Sequence, residues 1–137
     1  MTSPLSDADY RSLARFRHAL RLFQRFSEDA ARAAGLTPAQ HQLLLAVRGH
    51  DGDGPPSVTE VAERLQLKLH SAGELVARAE ANGLLARTAD PDDARRTLLA
   101  LTPDGGAKLA ELSQQHRTEL RRFRREMNDV LRELDEP

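Results

Sequence analysis

The chain has no cysteine and no tryptophan, one tyrosine and four phenylalanines. Without cysteine there are no disulfides and no sensing of oxidants through a thiol. No apolar run approaches the ~20 residues that a membrane-spanning helix needs. The first ten residues, MTSPLSDADY, hold neither a basic stretch nor an apolar centre, so no secretory signal is expected and the cytoplasm is the expected location. Neither sign of charge dominates: 20 Lys and Arg against 21 Asp and Glu leave a net −1. Any attraction for a polyanion must then be local. Catalytic signatures are missing as well. There is no Gly-x-Ser-x-Gly, phosphate loop or His-Glu-x-x-His, and His18, His41, His50, His70 and His116 have no ligand spacing. An enzyme, a cofactor and a metal are therefore not expected. Asp51 and Asp53 sit among glycines, but they lack the further oxygen ligands and distal Glu of an EF-hand loop.

What is present is a chain of 137 residues, 30% charged and 39% apolar, suited to one domain with a moderate core. Its most organised stretch is Ser57 to Thr102. Ser57 and Glu60 make a capping box ahead of Val58, Val61, Ala62 and Leu65, which fall on one helical stripe. Gln66, Leu67 and Lys68 read as a turn. Ser71 and Glu74 make a second box, followed by the stripe Ala72, Leu75, Val76 and Ala79. Asn82-Gly83 supplies a C-terminal stop. Residues 84–88 and 97–101 read as two strands, joined by a loop at Asp90-Pro91-Asp92-Asp93-Ala94. Helix, turn, helix and hairpin in that order are the layout of a winged helix.

The flanks are helical. A start at Ser6 and Asp9 leads into a long helix with Leu13, Phe16, Leu20 and Phe23 on one face, widened by Ala19, Phe26 and Ala30; Gly35 ends it. Thr37, Pro38 and Gln40 form a complete helix start, with Leu43, Leu44 and Val47 to be buried. The loop from His50 to Pro56 can strand against the wing only at its Pro-Ser-Val end. After Thr102-Pro103 a stripe runs through Leu109, Leu112, His116, Leu120, Phe123, Met127, Val130, Leu131 and Leu134, with a bend or break expected near 117–125. Arg117, Arg121, Arg122, Arg124 and Arg125 read as a solvated face paired with Glu119, Glu126 and Glu133, in preference to a phosphate contact.

These motifs together resemble the MarR family of bacterial transcription regulators, over nearly the whole chain. The resemblance is carried by Leu36-Thr37-x-x-Gln40, Val61-Ala62-Glu63-Arg64-Leu65, Glu80-x-x-Gly83-Leu84 and Asp90-Pro91-x-Asp93-x-Arg95-Arg96. Leu101-Thr102-x-x-Gly105 completes it. It implies a mainly α fold with a small β-wing: a winged helix-turn-helix over 37–102 within a single domain 1–137, and dimerisation helices at 6–34 and 103–137. It also implies a homodimer that binds double-stranded DNA, each copy reading one half of a pseudo-palindromic operator, in most relatives as a repressor. The apolar stripes at both ends point the same way, since the small winged helix cannot cover them.

On this reading the outer face of the second motif helix carries His70, Ser71, Glu74 and Arg78, with Lys68 in the turn before it. His70 can donate to a phosphate or guanine N7, Ser71 to a base or a phosphate, and Arg78 to a phosphate or guanine. Glu74 can accept from cytosine N4, but the Ser-x-x-Glu spacing favours a cap on Ser71. In the wing, Arg95 suits the minor groove, Asp93 is placed to hold it by a forked pair, and Arg96 is expected to reach phosphate. The resemblance further implies release by a small aromatic or phenolic anion, with Arg15, His18 and His41 as candidate contacts. A winged helix that binds protein instead of DNA is the alternative. Between Ser57 and Thr102 six basic residues face seven acids, which favours modest and salt-sensitive DNA binding.

Overall fold

Three of the helices begin at a complete cap that the sequence offers. The computed structural model describes residues 3–135. Its elements are α1 (Asp7–Ala33), α2 (Pro38–Arg48), α3 (Val58–Arg64), α4 (Leu69–Ala81), β1 (Leu85–Ala89), β2 (Thr97–Leu101) and α5 (Pro103–Asp135). Thr37 caps α2 and Ser57 caps α3, each in a reciprocal box with Gln40 and Glu60. Ser6 and Asp9 exchange the corresponding pair of bonds ahead of α1. The chain divides into two compact units: Ala31–Leu112, and the residues up to Ala30 together with those from Ser113 on.

In the Ala31–Leu112 unit, Leu43, Leu44, Val61, Val76, Leu85 and Leu99 are almost wholly buried. Each such side chain contributes about 1.5–3 kcal/mol. β1 and β2 pair antiparallel from Leu85↔Leu101 to Ala89↔Thr97. Ser57 bridges to Leu98 and the Leu99 N–H donates to the Pro56 carbonyl at 2.9 Å, which is the strand-like contact expected of the Pro-Ser-Val segment.

α3 and α4 end in the same closure. The Leu67 N–H reaches back to Ala62 and the Leu84 N–H to Ala79, both at 2.9 Å. The residue before each takes positive φ: Gln66 at 57° and Gly83 at 73°. Gly83 adopts that conformation freely, whereas Gln66 gives up about 1–2 kcal/mol to it. The Gln66 carboxamide offsets part of this by donating to the Glu63 carbonyl at 2.7 Å. Thr102 then locks the exit from the hairpin. Its hydroxyl donates to the Gly83 carbonyl at 2.6 Å and accepts from the Gly105 N–H at 3.0 Å. The glycine of the Leu-Thr-x-x-Gly motif is there for space, since a Cβ on Gly105 would lie 1.9 Å from the Leu84 carbonyl oxygen.

The other unit is built from α1 up to Ala30 and α5 from Ser113. Ser12, Ala19, Ser27, His116 and Val130 are buried, and Phe16, Leu20, Phe23 and Phe26 are half-buried. Phe23 stacks at 5.1 Å on Phe123, and His116 meets Phe26 edge-on at 5.2 Å while its Nε2 lies 2.9 Å from the Ser27 hydroxyl. Tyr10, Leu13, Leu22, Leu120, Leu131 and Leu134 remain between 40% and 59% exposed.

Four expectations are corrected. α5 runs unbroken from Pro103 to Asp135, because nothing in the 117–125 run is a helix breaker and its arginines extend outward. Arg122 approaches Glu119 at 3.8 Å, but Glu133 turns to Ser12 and Arg15 instead of the arginine run. β1 begins one residue late, since Leu84 is consumed by the α4 closure and accepts from Thr102. α4 begins at Leu69 with Lys68 as its cap, so Ser71 and Glu74 lie inside the helix and form no capping box. The tight closure at Gln66 leaves Lys68 extended and the helix free to start at once.

Candidate nucleic-acid interface

The three buried residues of α4, Ala72, Val76 and Ala79, fix its inner stripe. His70, Ser71, Glu74, Ala77 and Arg78 are left exposed, as is Lys68 in the turn. The His70 side chain is 87% accessible and Glu74 63%, and the two meet at 3.2 Å one helical turn apart. Glu74 therefore partners His70, not the Ser71 backbone. A Cβ on Gly73 would meet nothing within 4 Å, so packing within the chain does not call for glycine there.

The wing projects its cation. Arg95 is 92% accessible. Asp93 Oδ1 accepts from the Arg95 backbone N–H at 3.0 Å and from its Nε at 3.3 Å. Asp93 thus holds Arg95 by one oxygen, in place of the forked pair expected, because that oxygen also closes the local turn. Arg96 departs further. Its Nη2 donates to Glu60 Oε1 at 2.7 Å and its Nη1 lies 3.4 Å from Asp90 Oδ2. Both Nη groups of its guanidinium thus face carboxylates of the same chain.

Glu60 is the residue that sequence reasoning placed only as a cap. Its Oε1 accepts both the Ser57 N–H and Arg96, and its Oε2 lies 3.4 Å from His50 Nε2. These contacts hold its carboxyl below the usual range, chiefly through the Ser57 backbone bond, with His50 and Arg96 adding to it. Ser57-x-x-Glu60 announces the cap, but no local signal announces a partner 36 residues on. Glu80 and Arg87, also overlooked, pair at 2.8 Å between the last turn of α4 and β1.

The three residues proposed for a small ligand fall in different units. Arg15 and His18 border a cavity of about 290 Å3 together with Leu22, Glu126 and Asp129. Arg15 is also paired to Glu133. His41 is buried in α2. Among the described residues no group of three or more His, Asp or Glu side chains is placed to hold a metal ion, and no helix is long and apolar enough to cross a membrane.

Comparison with known proteins follows the same lines. Residues 34–96 match the model of the MarR family. Over 78 residues the chain is 36% identical to the HTH-type transcriptional repressor MdtR of Bacillus subtilis (strain 168), covering 57% of this chain and 48% of MdtR. The chain spans about half the length of the curated relatives it matches. AbsC, a MarR family transcriptional regulator from Streptomyces coelicolor, superposes with a TM-score of 0.76 at 21% identity, over 98% of this chain and 91% of AbsC. The S. aureus MepR–DNA complex superposes at 0.72 and 20% identity, over 85% of this chain and 88% of MepR. At these identities the two structures speak for the fold alone.

Proposed function

From the match of residues 34–96 to the MarR family we propose that the chain is a dimeric, DNA-binding transcriptional regulator of that family, of the cytoplasm, and a repressor acting on a pseudo-palindromic operator. The observation that carries this reading is the pairing of an exposed α4 face with an exposed wing cation. His70, Ser71 and Arg78 stand outward on a helix whose inner stripe is fully buried, and Arg95 stands outward on the hairpin that follows. α4 would enter the major groove by its first turns and Arg95 the minor groove beside it. In this proposal 37–102 is the DNA-reading part, and 6–34 and 103–137 are the dimerisation helices, which would cover the exposed leucines of α1 and α5. The relative MdtR is a named repressor, which supports that direction of control.

The chain has no cysteine for thiol chemistry, so an effector, if the protein has one, is expected to bind non-covalently. An aromatic or phenolic ligand of Arg15, His18 or His41 would act only by favouring one spacing of the two reading heads over another. The second reading, a winged helix that binds protein, draws on specific features. Glu74 sets a carboxylate beside His70 on α4, Arg96 is engaged by Glu60, and acids outnumber bases from Ser57 to Thr102. Titration of the protein with its own upstream DNA at two salt concentrations separates the readings. Specific binding that weakens steeply with salt supports the regulator. Equal, weak binding to all duplexes favours the protein-binding module.

A further inference from the structure

Glu60 stands where three parts of the Ala31–Leu112 unit meet. It belongs to the first turn of α3, it closes the Ser57 cap, and Ser57 bridges to Leu98 in β2. Its carboxylate is therefore already ordered before it meets the wing. The wing loop, by contrast, is held mostly by itself. The Asp90 N–H donates to the Arg96 carbonyl at 3.0 Å, the Arg96 N–H to the Asp93 carbonyl at 2.9 Å, and Asp92 N–H to Asp90 Oδ1 at 2.8 Å. The bond that carries this loop onto a helix is Arg96 to Glu60, at 2.7 Å across 36 residues. Asp90 flanks the same guanidinium from the wing side.

We propose that Glu60 is a positioning residue for DNA binding: acting through Arg96, it clamps the wing loop to the start of α3 so that Arg95 is aimed before DNA arrives. The proposal rests on the DNA-binding reading above and refines it. Arg95 contacts the duplex, and Arg96 and Glu60 hold the contact in place. Fixing the loop in the free protein removes part of the ordering cost that binding otherwise carries. The neighbouring charges agree with this role. Two carboxylates, Glu60 and Asp90, flank Arg96, so its charge is balanced within the chain and adds little to the attraction for phosphate.

The test uses the full chain and the substitution Glu60→Gln. A glutamine still accepts the Ser57 N–H, so the capping box and the helix survive, but the charge that holds Arg96 is gone. The first measurement needs no DNA: hydrogen exchange at the Asp90 and Arg96 amides. We expect it to quicken severalfold while the α2 amides keep their rates. The second is operator affinity against salt. We expect a loss of roughly two- to fivefold, the range of an exposed ion pair, with the salt slope unchanged. Arg95→Ala should then cost less in the Glu60→Gln background than in the wild type, as residues acting through one contact do. Unchanged wing exchange overturns the clamp. So does tighter binding with a slope steeper by about one charge, which would make Arg96 a phosphate contact that Glu60 restrains. If the wild-type protein binds no operator, the DNA reading fails, and the exchange measurement alone decides whether Glu60 clamps the wing.

Discussion

Arg87 closes on Glu80, seven residues earlier, placing both Nε at 3.2 Å and Nη2 at 2.8 Å on the same carboxylate oxygen. The pair links the last turn of α4 to the first strand of the wing. With Glu60 and Arg96 it makes two ion pairs that join the hairpin to the helices flanking it. Both carboxyls lie below their usual range, Glu80 chiefly through its bond from Arg87 and Glu60 chiefly through its bond from Ser57.

The sign of the resulting pH dependence is set by those shifts. Carboxyls with lowered values in the folded protein stabilise it fully above the ordinary value of 4.5. That stability is lost as pH falls through the lowered values. Urea midpoints measured downward from pH 6 should hold until about 4.5 and then drop, and Glu60→Gln should flatten part of the drop.

Arg95→Ala should weaken operator binding by ~1–3 kcal/mol, the usual loss for one good arginine contact. The melting temperature should stay close to the wild-type value, because the side chain is almost wholly exposed. Wild-type affinity in the variant would remove the wing tip from the mechanism.

Sedimentation equilibrium at micromolar protein should give twice the 15.2 kDa chain mass. Leu131→Glu, which puts a charge among the exposed leucines of α5, should shift the protein toward monomer. A well-folded wild-type monomer under these conditions would defeat the two-half-site model.

Gly105→Ala should destabilise the protein by about 1–3 kcal/mol or more, since the new methyl must displace the Leu84 backbone carbonyl. A urea melt of the variant decides it. An unchanged midpoint would show that the Leu84 backbone yields easily.

Operator release should respond to ligands and not to oxidants. Peroxide should leave the complex intact, as the chain offers no thiol. A panel of aromatic acids such as salicylate is the place to look for an effector. Release by peroxide with none by any ligand would contradict a non-covalent mechanism.

The sequence by itself determined the features whose partners lie within a few residues. Thr37 with Gln40, Ser57 with Glu60, and the stop at Gly83 are closed by bonds spanning three to five positions, within reach of residue type and spacing, although Ser71 and Glu74 share that spacing and form no cap. Periodicity likewise marked the buried stripes of α2 and α4 and the outward faces of α4 and the wing. Only the tertiary structure decided which side chains those faces share. Glu74 left Ser71 for His70 because α4 begins at Leu69. Arg96 meets Glu60 because the hairpin folds back beside α3, and no local pattern encodes a meeting across 36 residues. Gly105 is legible as a motif residue in the sequence, but its reason, a backbone carbonyl in the space of its missing side chain, exists only once Leu84 is packed against it.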